Sequence, residues 1–343
     1  MAVNPEVSKQ LSIKTCLIVK LGAIGDVIMA IPAVRRLHAL GYKIDWMCGA
    51  PLAPLLRCYA WINPIVVNDR AILQGGFGTQ LNALFALWGS LIARKYDLCA
   101  TLYYDRRYNL LSLPVRAERK ISLSRTDRTA RLIPGRHHTD EYERILLGRA
   151  DSVQPTSATP VRPDRLPASP LPPKASPFRI AMVPGGASNM LRQQTLRRWP
   201  VEHYVSVTKT LHDRGWEVVL LGGPDDAWVR PDFQGVTVTD CIGTLSLPEV
   251  IAVCDTCDAV ISHDTGPLHL AGLSCAAIIG LFGPTDPACF FPRRDRAVAL
   301  WGGEGFACKP CYDGRDFAPC ANNACMQQIS PQKVLDALDG LIL

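Results

Sequence analysis

Short apolar runs alternate with segments of helical periodicity along most of the chain. In the first 150 residues, apolar runs that predict buried strands lie at 16–20, 43–48, 64–67 and 98–102. Apolar residues at helical spacing predict helices over 27–40, 80–94 and 139–147. This alternation predicts a parallel sheet with helices on both faces.

A proline-rich segment interrupts the alternation. Residues 151–177 hold eight prolines, which neither a helix nor a central strand tolerates, so this segment is predicted to be an extended linker. After it, strands are predicted at 180–183, 217–221, 259–261 and 276–281, and helices at 201–213, 247–254, 267–274 and 330–341. The pattern predicts two Rossmann-like α/β domains, residues 1–150 and 178–343, joined by residues 151–177.

Composition narrows the class of protein. A chain of 343 residues suits two domains, and 48% hydrophobic with 20% charged residues is typical of globular proteins. The formal net charge of +6 fits a protein that handles anionic substrates. The longest apolar run, 83–93, is too short to span a membrane, and residues 1–14 lack the apolar segment of a signal peptide. We therefore expect a cytoplasmic protein.

A strand–turn–helix pattern in the second half predicts an anion site. Residues 262–269 read Ser-His-Asp-Thr-Gly-Pro-Leu-His directly after the apolar run 259–261. Pro267 suits the first helical position, and Thr265 or Gly266 suits the cap. Backbone N–H groups at such a turn point towards an anion, and Gly266 would let a phosphate approach closely. An ordinary connection between strand and helix explains these residues equally well.

A second glycine turn, Gly22-x-x-Gly25-Asp26, follows the first predicted strand. Further motifs occur between and after the two turns: Pro184-Gly185-Gly186-Ala187, Arg197-Arg198-Trp199-Pro200, Leu221-Gly222-Gly223-Pro224-Asp225-Asp226 and Gly283-Pro284-Thr285-Asp286. In this order the motifs resemble glycosyltransferase family 9, the ADP-heptose heptosyltransferases of bacterial lipopolysaccharide core assembly, over residues 15–338. The resemblance implies the GT-B fold, two Rossmann-like domains facing each other across a cleft.

The resemblance also implies a catalytic role for Asp26. It matches an aspartate that is the proposed general base of the family, which would deprotonate the acceptor hydroxyl. That hydroxyl would attack the anomeric carbon opposite the leaving diphosphate, so the reaction would invert the configuration. The residues alone favour an N-terminal cap of the following helix, a common role for aspartate, although the two roles do not exclude each other. A helix N-terminus would stabilise the carboxylate and weaken it as a base.

The leaving diphosphate needs positive charge and N–H donors, which the resemblance places in the second domain. Arg197 matches a position that is usually lysine, and its guanidinium would bind phosphate bidentately as the second catalytic residue. A solvated arginine pair is the alternative for Arg197 and Arg198. The other donor-binding residues that the resemblance implies are Gly25, Arg198, Asp226, Leu245, Asp264, Thr265, Gly266, Pro267 and His269.

Separate roles are implied within this set. Asp226 stands where the family usually has a glutamate for the ribose hydroxyls, and Leu245 stands where the base would rest, although core packing explains Leu245 as well. Asp264 would orient the diphosphate turn or the sugar hydroxyls. His269 would either donate to a phosphate or serve as a structural histidine.

A basic segment in the first domain is the predicted binding surface for the acceptor. Between Asp105 and Arg136 there are nine Lys or Arg residues against three acids. This charge suits an anionic glycolipid acceptor, with Arg106, Arg107 and Lys120 as candidate contacts, and a peripheral contact with the inner membrane. A solvated charged surface is the alternative. Nucleic acid is not expected, because the segment lacks the interleaved aromatic residues of single-strand binders.

The C-terminal cysteines form a candidate metal site. Cys308, Cys311, Cys320 and Cys325 could bind a structural zinc ion tetrahedrally, while disulfide pairing and free thiols are alternatives. Catalysis is not expected to require a metal or other cofactor, because no Asp-x-Asp pair lies near the diphosphate turn.

Three functions remain open on this reasoning. The first is transfer of heptose from ADP-heptose to a lipopolysaccharide inner-core sugar, Kdo or heptose. The second is the same chemistry with another nucleotide sugar or another acceptor, such as a protein, a capsule or a small molecule. The third is a non-catalytic nucleotide-binding scaffold. NAD binding is disfavoured, because the first turn lacks the G-x-G-x-x-G pattern.

Overall fold

Two parallel β-sheets, one in each half of the chain, form the framework of the molecule. The computed structural model describes residues 13–149, 158–189, 192–313 and 316–343. Helices alternate with strands in both halves. The predicted fold class, α/β with two Rossmann-like sheets, is therefore confirmed.

The N-terminal sheet has five strands in the order β3-β2-β1-β4-β5, all parallel. Its strands are β1 Lys14–Val19, β2 Tyr42–Gly49, β3 Ile62–Val67, β4 Lys95–Thr101 and β5 Arg116–Ser122. The helices of this half are α1 Ile24–Ala39, α2 Ala53–Leu56, α3 Asp69–Gln74, α4 Phe77–Leu91 and α5 His138–Leu146. The chain reverses its direction of winding between β1 and β4.

The C-terminal sheet has six parallel strands in the order β10-β9-β6-β11-β12-β13. The strands of this half are β6 Arg179–Val183, β7 Ser188–Asn189, β8 Arg192–Gln193, β9 Glu217–Leu220, β10 Thr239–Asp240, β11 Ala259–His263, β12 Ala277–Phe282 and β13 Ala297–Trp301, with β7 and β8 forming a separate antiparallel hairpin. The helices are α6 Val201–Asp213, α7 Leu247–Asp255, α8 Gly266–Ala271, α9 Pro287–Phe290, α10 Ala324–Gln327 and α11 Pro331–Ile342. Here the winding reverses between β6 and β11.

The central strands are buried on both faces, which explains their continuous apolar sequences. Every residue of β6, β11 and β12 is buried, as are the last four residues of β1. A strand covered by helices on both sides has no solvent face, so it does not alternate apolar with polar residues.

Edge strands and helix ends differ from the sequence prediction. β5 has the sequence Arg-Ala-Glu-Arg-Lys-Ile-Ser and was missed because it lies at the sheet edge and has no apolar run. β13, at the edge of the other sheet, was missed as well. α1 begins three residues before the predicted start, and α8 ends at Ala271, three residues before its predicted end. α11 packs on α6 and on the C-terminal sheet.

The segment between the two sheets also contacts both halves through side chains. Residues 158–177 contain no helix or strand, and residues 150–157 lie outside the described residues. Arg162 forms an ion pair with Asp255 of the C-terminal half, while Asp164 accepts a hydrogen bond from the backbone N–H of Ala60 in the N-terminal half. The predicted domain boundaries stay a prediction. In the described part of the chain, no helix is long and apolar enough to cross a bilayer.

Candidate active site

The winding reversals bring four loops to one region between the sheets. In open α/β sheets, ligands bind at the carboxyl ends of the strands where the winding reverses. The loops after β1 and β4 lie at that point of the N-terminal sheet, and those after β6 and β11 at that point of the C-terminal sheet. Helices α1 and α8, which begin at two of these loops, pack against each other.

Asp26 lies in the first turn of α1 and contacts two cationic or titratable side chains. Its Oδ2 is 3.3 Å from the ammonium of Lys20, and its Oδ1 is 3.9 Å from Nδ1 of His138. The N-cap of α1 is Ala23, so Asp26 is not the cap. The helix-capping alternative is therefore wrong, and the carboxylate is free to serve the site, with 35% of its side chain exposed.

Lys20 is the final residue of the apolar run that contains β1, and its side chain is only 3% exposed. Its ammonium donates to the Leu102 carbonyl at 3.0 Å and lies 4.3 Å from the ring centre of Tyr103. Burial lowers the pKa of Lys20, and the neighbouring Asp26 carboxylate opposes that shift. Because a buried ammonium needs a counter-ion, the pair fixes Asp26 beside β1.

Desolvation alone would raise the pKa of Asp26, but Lys20 and His138 together hold the pKa of that carboxyl well below its usual range. Asp26 is consequently ionised at neutral pH. The same carboxylate, after burial as the main cause, raises the pKa of Tyr142, whose hydroxyl stays protonated. The pocket therefore contains one stable anion next to neutral or cationic donors.

The glycine turn itself is tied to the loop after β4. The Tyr103 hydroxyl donates to the Gly22 carbonyl at 2.5 Å and accepts from the Gly22 N–H at 2.7 Å. The ring of Tyr103 stacks on that of Tyr108 at 3.7 Å between centroids. These contacts fix the start of α1 and hence the position of Asp26.

The N-terminal turn meets α8 of the other half at Gly25. A Cβ at this position would lie 2.5 Å from Cδ2 of His269, so only glycine allows this approach. His269 is buried, and its burial lowers its pKa. This packing supports the structural alternative for His269. Gly25 lies against the histidine ring, and its contact with the donor stays a prediction.

Arg197 and Asp264 form the charged part of the C-terminal site. Nη1 of Arg197 is 3.1 Å from Oδ2 of Asp264, which also accepts a hydrogen bond from the Thr285 hydroxyl at 2.8 Å. Desolvation opposes ionisation of Asp264, but Arg197, His269 and the Thr285 hydroxyl together lower its pKa. Nε of Arg197 is buried and has no hydrogen-bond partner among the described residues. The guanidinium thus keeps a donor for a ligand.

Thr265 connects the two glycine loops of this half. Its hydroxyl oxygen accepts a hydrogen bond from the Ala187 N–H at 3.0 Å. Gly186 has φ +87°, and a Cβ there would lie 2.6 Å from the Thr265 hydroxyl oxygen, so this position requires glycine. Gly266 and Pro267 are the first two residues of α8, a helix of six residues.

Asp226 and Arg198 hold loops in place. The Asp226 carboxylate accepts from the N–H groups of Gly186 at 2.5 Å and Gly223 at 2.7 Å, and the residue is buried. Arg198 donates to the Gly186 carbonyl at 2.9 Å and lies 4.8 Å from the Trp228 ring centre. Because both oxygens of Asp226 already bind backbone, the contacts favour loop positioning over the predicted ribose contact.

The remaining predicted residues lie further from this cluster of contacts. Leu245 is partly buried and packs against the main hydrophobic core, which supports the packing alternative. Arg106 and Arg107 begin a 3₁₀ segment, Arg106–Ser112, after β4, and Arg107 pairs with Asp105 at 2.6 Å. Lys120 is exposed on β5. The structure joins none of these three by a described contact to Asp26, so their acceptor role stays a prediction.

The C-terminal cysteines are free thiols. Cys308 and Cys320 are exposed, and Cys311 and Cys325 are partly buried. Within the described residues, no three His, Cys, Asp or Glu side chains are grouped to hold a metal ion. Structural zinc at these cysteines therefore stays a prediction that the present thiol positions do not support.

Sequence reasoning missed Lys20 and His138. Lys20 carried a signal, since a lysine that ends an apolar strand run requires a partner at the strand's carboxyl end. His138 carried none, because it begins a helix 112 positions after Asp26 in the chain. Only the packing of α5 on α1 brings it to the carboxylate.

Known sequences and solved structures are similar to this chain. The profile of glycosyltransferase family 9 (heptosyltransferase) matches residues 186–321, which include Arg197, Asp264 and Thr265. Over these residues the chain is similar to glycosyltransferase family 9. Lipopolysaccharide heptosyltransferase 3 of Escherichia coli is 31% identical to this chain over 156 residues, 44% of each protein. The chain thus matches less than half the length of that relative.

The fold of the chain extends this similarity to both halves. A glycosyltransferase of family 9 from Veillonella parvula has a TM-score of 0.74 at 20% identity, covering 96% of this chain and 97% of the other. The ADP-heptose lipopolysaccharide heptosyltransferase II of E. coli has a TM-score of 0.71 at 19% identity, covering 96% and 98%. At this identity the likeness concerns the fold. The predicted GT-B fold is confirmed, and the family match with the named relatives supports the predicted family.

Proposed function

We propose that the protein is an inverting glycosyltransferase that moves heptose from ADP-heptose to a sugar of the lipopolysaccharide inner core. The observation that carries the proposal is the division of charge between two facing loops. An ionised Asp26 lies at the start of α1, while Arg197 lies in the other half, and its buried Nε has no partner among the residues that the structure describes. Similarity to family 9 and the names of the relatives supply the donor and acceptor classes.

Each half of the protein has one role in the proposed reaction: the N-terminal half accepts a proton, and the C-terminal half stabilises the leaving diphosphate. Asp26 accepts the proton of the acceptor hydroxyl as the hydroxyl oxygen bonds to the anomeric carbon. On the opposite face the bond between that carbon and the diphosphate oxygen breaks, and ADP leaves with the electron pair. Because the hydroxyl becomes strongly acidic as the new bond forms, a carboxylate of low pKa is able to take the proton late in the step.

The positive charge for the leaving diphosphate comes from Arg197. Its pairing with Asp264 orients the guanidinium, and preorganised donors cost no rearrangement when charge develops. The turn at Thr265 and Gly266 supplies backbone N–H and hydroxyl donors beside it. In this scheme no step uses a metal ion, and any zinc at the C-terminal cysteines would be structural.

The test is turnover with defined substrates. The full chain is incubated with ADP-heptose and delipidated core acceptors that end in Kdo or heptose, and products are followed by mass spectrometry and by NMR of the new anomeric centre. We expect one added heptose with inverted configuration. Transfer from UDP- or GDP-sugars but not from ADP-heptose would overturn the donor assignment, and ADP binding without any turnover would favour a non-catalytic scaffold.

Metal dependence is tested on the same reaction. Brief treatment with EDTA is expected to leave the rate unchanged, because Arg197 supplies the charge that a divalent cation supplies in other enzymes. Loss of turnover on chelation, with recovery on addition of Mg²⁺ or Mn²⁺, would contradict the scheme.

A further inference from the structure

Helix α4 has an apolar stripe that faces away from the protein. The stripe consists of Phe77, Leu81, Phe85, Trp88 and Ile92, spaced by four, four, three and four residues, so that all five lie on one side of the helix. Phe77 is 79% exposed, Phe85 60% and Ile92 65%. Single exposed apolar residues are common, but a continuous set at helical spacing marks an interaction surface.

The stripe is additional to the face that holds α4 on the protein. Leu87 and Leu91 are buried in the core cluster of the N-terminal sheet, and Leu84 packs against it. These leucines lie on the side of the helix next to the stripe, about 90° from its centre. Phe77, Phe85 and Ile92 are exposed beyond this anchoring side, where an ordinary surface helix has polar residues.

The neighbouring 3₁₀ segment Arg106–Ser112 extends the same surface. It contacts α4, and the indole N–H of Trp88 donates to the Leu110 carbonyl at 2.7 Å. Leu110 is exposed, as is Leu113 directly after the segment. The segment also carries exposed Arg106 and Arg107, so basic and apolar side chains alternate within a few residues.

Basic residues outnumber acidic residues around the stripe. Residues 71–93 include no charged residue, and Arg70, Arg94 and Lys95 flank them. Lys120 stands opposite Cys99 in the β4–β5 register, and Cys99 belongs to the core cluster beneath α4, so Lys120 lies on this face of the sheet. Of the acidic residues nearby, Asp69 is buried, Asp105 is paired with Arg107 and Asp45 is paired with Arg94. Glu118 is exposed on the same face of β5 as Lys120.

From these observations we propose that the apolar stripe of α4, with Leu110 and Leu113, docks the protein on an anionic phospholipid bilayer. Apolar side chains enter the boundary between headgroups and acyl chains, and the flanking arginines and lysines bind the anionic headgroups. A second copy of the chain fits less well, because symmetric pairing would place the same basic residues opposite each other. The proposal deepens the proposed function, on which it rests for an acceptor carried on a lipid.

Vesicle flotation of the full chain tests the docking without donor or acceptor. We expect binding to vesicles of phosphatidylethanolamine with phosphatidylglycerol and much weaker binding to phosphatidylcholine. The double substitution Phe77→Gln with Phe85→Gln, and separately Ile92→Gln, is expected to reduce the partition coefficient, by about tenfold or more for the pair because partitioning scales with buried apolar area. Leu40→Gln, an exposed leucine of α1 outside this surface, is the matched control.

Two further measurements distinguish a loss of membrane docking from a loss of catalytic activity. Turnover on a delipidated acceptor is expected to be the same for the double variant and the native chain, so lost docking and lost chemistry are told apart. Unchanged vesicle binding by both α4 variants would overturn the proposal. It would also be overturned if light scattering shows a native oligomer that the double variant dissociates while the native chain ignores anionic vesicles.

Discussion

The glycine turns after β1 and after β11 occupy equivalent places in their sheets but hold opposite charges. The turn after β1 leads to Asp26, an anion that a buried lysine stabilises. The turn after β11 faces Arg197, a cation whose partner Asp264 is itself buried. Since one half offers a proton acceptor and the other offers anion donors, the difference assigns chemistry to the first turn and donor recognition to the second.

Glycines at the two sites also have different structural roles. Gly25, in the turn after β1, permits the approach of His269 from the other half, so it serves the contact between domains. Gly186, in the loop after β6, permits the approach of Thr265 from the turn after β11, so it serves the shape of the donor loops. Similar sequence motifs thus perform different structural tasks, which only their surroundings reveal.

The largest effect is expected for Asp26→Asn, which keeps the shape of the side chain and removes the base. We expect kcat to fall about 10²- to 10⁴-fold, the usual contribution of a general base. Steady-state kinetics with ADP-heptose measures it. Asp213→Asn, at an exposed aspartate of α6, is the control. A variant that folds normally and keeps more than a tenth of the native kcat would show that Asp26 is not the base.

The next largest effect is expected for Arg197→Ala. Loss of a charge-assisted contact costs about 1.5–3 kcal/mol, which is roughly a ten- to hundredfold weaker affinity for ADP. Arg197→Lys restores the residue usual in the family and should recover part of the loss. Arg214→Ala removes another paired arginine of the C-terminal half and serves as control. Calorimetry that finds native affinity in Arg197→Ala would refute the diphosphate contact.

Lys20→Met tests whether the Lys20 ammonium lowers the pKa of Asp26 and so keeps the carboxylate ionised. Without the ammonium, the pKa of Asp26 is expected to rise, so the acidic limb of the pH–rate profile moves to higher pH. A decrease of kcat on the order of tenfold at neutral pH is expected, smaller than the loss of the base itself. Lys14→Met, at the exposed start of the same strand, is the control. An unshifted acidic limb would mean that Lys20 is only structural.

The smallest effect concerns stability in acid. Burial, with Arg197 next, lowers the pKa of His263 to about 3, below that of the unfolded chain near 6.5. The unfolded state therefore binds more protons between these values, so stability is full above about pH 6.5 and is lost as pH falls towards 3, at most about 1.4 kcal/mol per pH unit. Urea unfolding from pH 7 to 4.5 measures the slope. His263→Gln should flatten it, whereas exposed His212→Gln should leave it unchanged.

Sequence patterns predicted the features that depend on neighbouring residues, such as apolar runs and the glycine turns after them. The buried strands β1, β6, β11 and β12 have continuous apolar runs, and the glycine turns follow them directly. β5 escaped prediction, since a charged edge strand shows no apolar run. The partners of Asp26 escaped as well, because Lys20 contacts the loop after β4 and His138 arrives on α5 only through tertiary packing. The loop-positioning contacts of Asp226 were also missed, because its backbone partner Gly186 lies 40 residues away in the chain.

Calorimetric titration of ADP into Asp26→Asn and Arg197→Ala, side by side with the native chain, tests the division between the two turns most directly. The account predicts that Asp26→Asn binds ADP within about twofold of the native affinity while losing turnover, and that Arg197→Ala binds it at least about tenfold more weakly. Equal weakening of ADP binding in both variants would contradict the assignment of chemistry to one half and donor recognition to the other.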